Sequence, residues 1–210
     1  DPPNVATRRV VQRVNAFQGV VDGAIGSTAA GGGALNDTYA TLTVNPVYTT
    51  FFVGAGGHNG TTETSTAGQL GTISINVDTT AYRNLAKVFV QAGDVTDADV
   101  IVTGNFSAFD GGGSAVTLGA QQATINMAAT TATINNQQAA LTTGPQAFRV
   151  TRETAPTPIP TSNYVANLTY TLNPAFYIDD QPFTGNLETI QRDGTNVLFP
   201  WMNSNTIQAT

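Results

Sequence analysis

Tyr164-Val165-Ala166-Asn167-Leu168-Thr169-Tyr170-Thr171-Leu172 decides the fold. Tyr164, Ala166, Leu168, Tyr170 and Leu172 fall on one side of a period-two repeat, and Val165, Asn167, Thr169 and Thr171 fall on the other. Side chains alternate across a strand, so this segment offers one face to a core and one to water. Pro156-Thr157-Pro158-Ile159-Pro160 precedes it, a stiff connector with three missing amide donors. Ile73, Ile75 and Val77 repeat the pattern among Thr72, Ser74, Asn76 and Asp78. Similar runs are expected at 40–44, 47–53, 85–91, 100–106, 115–118, 123–127, 132–135, 148–151, 187–190 and 197–199. Short strands at intervals of about ten residues, with Gly and Pro between them, indicate a sandwich or barrel. No strand–helix–strand alternation appears. The expected fold is therefore all-β: an antiparallel sandwich, immunoglobulin-like or jelly-roll-like.

The chain divides by composition. Residues 1–22 form an N-terminal arm holding Arg8, Arg9 and Arg13. Within it Val10, Val14, Phe17 and Val21 recur at helical spacing, and Asn4 follows two prolines as a helix cap. Valines lose rotamer freedom in helices, so the arm is helical or extended, with the spacing favouring helix. Residues 23–38, centred on Gly31-Gly32-Gly33, read as a linker or loop. Residues 39–210 carry the sandwich. Their last part, 176–210, gathers Phe176, Tyr177, Phe183, Phe199 and Trp201, which either close the core or form a sticky face.

Charged residues make up 10% of the chain, against about 25% in ordinary soluble domains. Lys87 is the single lysine, and there is no cysteine. Polar surface must then come from hydroxyls and amides. A net charge of −6 opposes nucleic-acid binding, which needs a basic surface. No apolar run reaches the 18 residues of a membrane-spanning helix. An opening at Asp1-Pro2-Pro3 is what a chain freed of a secretion leader, or a trimmed chain, would show. The expected location is extracellular or on the cell surface.

Catalytic patterns are weak. Gly54-Ala55-Gly56-Gly57-His58-Asn59-Gly60 lacks the third glycine and following helix of a dinucleotide loop, and the lysine of a phosphate loop. His58 is the only imidazole and is flanked by glycines. The three glutamates, Glu63, Glu153 and Glu188, read as polar, loop-like positions rather than an acid pair. The expectation is that the chain is not an enzyme and carries no organic cofactor. Asp94, Asp97 and Asp99 could donate oxygens to calcium, which extracellular modules often bind weakly through Asp-rich loops. Their plainer reading is a hydrated turn in which carboxylates cap main-chain N–H groups. Lys87 reads as an edge charge within the strand 85–91, or as one half of an isopeptide cross-link.

Val102-Thr103-Gly104-Asn105-Phe106-Ser107, the Pro158–Leu172 approach with its Tyr164-x-Ala166-x-Leu168-x-Tyr170 strand, and Arg192-Asp193-Gly194 leading to Phe199-Pro200-Trp201-Met202 resemble secreted bacterial β-sandwich surface proteins. The resemblance spans Val100 to Asn203. It implies surface-layer, matrix or filament roles and brings no catalytic residue with it. The expected function is a structural subunit whose partners are copies of itself. Assembly would use sheet contacts and donation of the arm, with Val5, Val10, Val11, Val14 and Phe17 as inserting residues. The alternative is an adhesin or carbohydrate-binding sandwich using Tyr164, Tyr170 or Trp201 with nearby Asn.

Overall fold

The computed structural model describes residues 16–23, 41–44, 51–52, 64–65, 67–109, 115–152, 158–177 and 182–192. They form two sheets, and the fold is an all-β sandwich. The smaller sheet orders β1 (Phe17–Asp22), β5 (Ala67–Val77), β11 (Gln146–Thr151), β7 (Val116–Leu118) and β8 (Gln121–Gln122) side by side. The larger runs β4 (Thr64–Ser65), β3 (Phe51–Phe52), β2 (Thr41–Val44), β13 (Phe183–Arg192), β12 (Ser162–Leu172), β6 (Val95–Thr103), β10 (Thr131–Ile134) and β9 (Thr124–Ile125). Neighbours are antiparallel except β2 and β13, which run parallel.

β12 is the centre of the larger sheet, and its alternation is realised: Tyr164, Ala166, Leu168, Tyr170 and Leu172 are all buried. β6 lies beside it and buries Ala98, Val100 and Val102. From the smaller sheet come Phe17, Ile73, Ile75, Phe148 and Val150. Phe106 sits edge-on to both Phe148 and Tyr164, with ring centroids 6.4 and 5.3 Å away. Ile159, fully buried, fixes the proline-rich connector to this core. Gly104 lies beneath the Tyr164 ring, where a Cβ would come within 2.3 Å of Cδ1. The Tyr164 hydroxyl donates to the Asn105 carbonyl at 2.6 Å, and burial holds its pKa far above the ordinary phenol value.

Three bulges re-aim side chains. Thr171 and Leu172 stand opposite Asp97 and Val95, so Thr96 is the extra residue and both Thr96 and Asp97 turn outward. In β5 Leu70 is extra, beside Gly71 at φ +146°. In β13 Leu187 and Glu188 face Tyr164 alone, and both are buried. Glu188 is therefore a strand residue of the interior, contrary to its loop-like reading. Gln69 is also fully buried, and among the described residues neither amide atom finds a hydrogen bond.

Three sequence expectations are corrected. The part of the proposed helix 4–21 that is described is strand: Phe17–Asp22 pairs with β5 from Phe17↔Val77 to Asp22↔Thr72. Residues 1–15 lie outside the described residues. Gln138–Thr143, where no helix was expected, form helix α1, with Leu141 buried. The run 85–91 is not a strand but part of a projecting turn. Among the described residues no helix is long and apolar enough to cross a membrane.

Candidate functional site

The outward face of the larger sheet follows directly from its registers. Thr184, Asn167, Ile101, Thr133 and Thr124 line up across β13, β12, β6, β10 and β9. Asn186, Val165, Thr103 and Thr131 form the next row. Strands lie about 4.8 Å apart, and same-face residues about 6.8 Å apart along each. The result is a grid of hydroxyl, amide and methyl groups with no formal charge in these two rows. Acid enters only at one end, where Asp99 stands opposite Thr169 and Asp97 opposite Thr171.

A finger formed by residues 79–90 rises between β5 and β6. Its root is tied by Asp78, whose Oδ1 accepts from the Thr80 and Ala81 N–H groups at 3.0 and 2.9 Å and from the Thr80 hydroxyl. Those bonds hold the Asp78 carboxyl below its ordinary pKa, the Ala81 N–H contributing most. Higher up, Asn84 Oδ1 accepts from Ala86 and Val88 N–H at 3.0 and 3.2 Å. Arg83 donates to the Lys87 carbonyl at 2.8 Å and lays its guanidinium 3.7 Å from the Phe89 ring centroid. Lys87 adopts φ +64°, uncommon for a residue other than glycine. This well-bonded turn nevertheless presents Leu85 at 81% and Val88 at 50% exposure.

Tyr177 joins the finger's end to the sandwich. Its hydroxyl donates to Asp94 Oδ2 at 2.8 Å, and its ring meets Phe17 edge-on at 5.2 Å. Burial first, then the bond to Asp94 and that carboxylate's charge, push its pKa up to about 12.

The residues singled out from the sequence are placed as follows. Asp94 also accepts from Gln91 N–H at 2.8 Å, in a capping box around the short 3₁₀ turn 92–94. Asp97 Oδ1 accepts from Ala98 N–H and Asp99 Oδ1 from Asn136 N–H. The three carboxylates are thus engaged separately with main chain. Among the described residues no group of three His, Cys, Asp or Glu side chains could hold a metal ion. Phe17 is 5% exposed and belongs to the core of its own chain. Val5, Val10, Val11, Val14, His58 and Trp201 lie outside the described residues. Tyr164 and Tyr170, the aromatics suggested for sugar stacking, are buried. Lys87 is exposed at the finger, not paired in a strand or buried beside an Asn. The finger itself was missed, although Asp78-Thr79-Thr80 and Asn84 are turn-forming residues that could have signalled it.

Comparison of the chain with protein-family models, with curated proteins and with solved structures returned no match.

Proposed function

We propose that the chain is a structural subunit of an extracellular filament or surface layer, joined to its copies through sheet contacts that include the N-terminal arm. The observation that carries this reading is β1. It closes one side of the smaller sheet, with no strand beyond it among the described residues. Asp78 N–H donates to the Ala16 carbonyl at 2.9 Å, which sets the hydrogen-bond phase. Antiparallel pairing alternates, so Gly19 and Val21 direct their main-chain groups away from β5, as does Phe17, whose carbonyl accepts from the Tyr170 hydroxyl at 3.4 Å. Such an edge is a template for another chain.

β1 is also closely seated. A Cβ at Gly19 would reach 2.8 Å from Phe183 Cβ, and one at Gly185 would reach 2.5 Å from Val21 Cβ. The final stretch of the arm therefore completes its own sheet, and the proposed donation to a neighbour rests with the residues before Ala16. The uncharged grid on the larger sheet supports the same reading, because covering hydroxyl and amide rows avoids the cost of burying ions. Burial of Tyr164 and Tyr170 weighs against the carbohydrate-binding alternative.

The test is a truncation that spares β1. Sedimentation velocity at rising concentration should show large assemblies of the full chain and a folded monomer after deletion of residues 1–15. Removing 1–21 would strip Phe17 and Gly19 from the core and report on folding instead. Assembly undiminished by the shorter deletion would refute the arm's part. A full chain that stays monomeric would overturn the subunit reading.

A further inference from the structure

We propose that the finger 79–90 is a second assembly contact, docking head-to-tail on the Asp97–Asp99–Ile101 stripe of another copy. The inference rests on the subunit reading above but uses a different surface from β1. From Thr79 to Gly93 the chain has no acidic residue and two cations, Arg83 and Lys87, although its net charge is −6. Leu85 stands between those cations in sequence and is 81% exposed, with Val88 half exposed beside it.

The turn is built before any partner arrives. Asn84, Asp78 and Arg83 all bind main chain within or at the root of the finger. Lys87 is kept in a left-handed conformation that an unconstrained chain would leave. A preformed contact loses less freedom on association.

The complementary surface lies on the same chain. Asp97, Asp99 and Ile101 follow one another along the outward face of β6, Ile101 being 41% exposed. Asp97 and Asp99 each use Oδ1 for a main-chain N–H of their own chain. Acids followed by an exposed aliphatic match cations flanking an exposed aliphatic. Lys87 and Arg83 would meet the two aspartates, and Leu85 and Val88 would cover Ile101. Because finger and stripe are different surfaces, the contact is heterologous, and its repetition builds a ring or an open chain of subunits according to the rotation between them.

Charge reversal tests this. Lys87→Glu should raise the concentration needed for assembly at least about tenfold, since like charges meeting at an interface are strongly disfavoured. The thermal midpoint should be unchanged, Lys87 being exposed. Asp97→Lys alone should do the same, and Lys87→Glu with Asp97→Lys should recover most of the loss. An unaffected Lys87→Glu variant overturns the finger contact while leaving the subunit reading intact. Loss without recovery in the double variant overturns the stripe as its partner. A monomeric parent chain overturns the subunit reading itself, and this inference with it.

Discussion

β12 and the finger use the same kinds of residue to opposite ends. In β12 every second side chain is apolar and every one of those is buried, because both neighbouring strands hold the backbone straight. In the finger Leu85, Val88 and Phe89 are comparably apolar and all exposed. There the main chain is bonded to Asp78, Asn84 and Arg83 rather than to a strand on each side. Hydrophobicity alone does not send a side chain inward. A ladder is one way of aiming side chains inward, as in β12, whereas Phe106 and Ile159 reach the core from outside any strand.

The sharpest way to break that contrast is at the sandwich end. Phe106→Ala removes the ring that touches Phe148 and Tyr164, and should cost about 3–5 kcal/mol. Urea unfolding should show a lower midpoint with fluorescence and circular dichroism moving together. A loss below about 1 kcal/mol would mean that the core is not organised around this ring.

A smaller effect is expected where finger and sandwich meet. Tyr177 has its pKa raised from 10 to about 12 in the folded chain. Its protonated form is favoured by folding, so this contribution is whole below pH 10 and lost as pH rises through about 12. Tyr177→Phe should flatten that alkaline limb and cost about 1 kcal/mol for the bond to Asp94 at neutral pH. Equal alkaline slopes in the two proteins would assign the limb to other groups.

The smallest effect on global stability belongs to the finger alone. Asn84→Ala deletes the acceptor for two N–H groups and should lower the unfolding midpoint by no more than about 1 kcal/mol. Amide exchange at Ala86 and Val88 should nevertheless accelerate by an order of magnitude or more, without change in β12. Equal acceleration in both regions would show that finger and sandwich open as one unit.

The strands were legible where alternation was long or flanked by clear breaks: β5, β12 and the short β7, β10 and β11; of β6 only the second half was, since Asp97 and Asp99, read as a hydrated turn, lie within the strand Val95–Thr103. β1 was concealed because its middle core-facing position is Gly19, so Phe17-x-Gly19-x-Val21 displays only two apolar side chains. With Val10 and Val14 upstream, those two also fitted helical spacing. α1 was concealed by its length, six residues being too few for a repeat. Leu85–Gln91 looked like a strand because its apolar residues outweighed the turn signal of Asn84, whose side chain captures the Ala86 and Val88 N–H groups. Of the candidate site, the hydroxyl- and amide-rich character was evident from composition. Its grid was not, since rows depend on register between strands far apart in the chain.

The parallel pairing of β2 with β13 has a consequence for how the molecule comes into being. Thr41 of β2 pairs with Thr189 of β13, far along the sequence. During synthesis β2 can pair with the nearby β3, but its other side must wait until β13 has been made. Slow, non-local closure of this kind lengthens the period in which nascent neighbours can pair wrongly. A product cut short before Phe183 would leave one long side of β12 without its ladder, a ready seed for clumping.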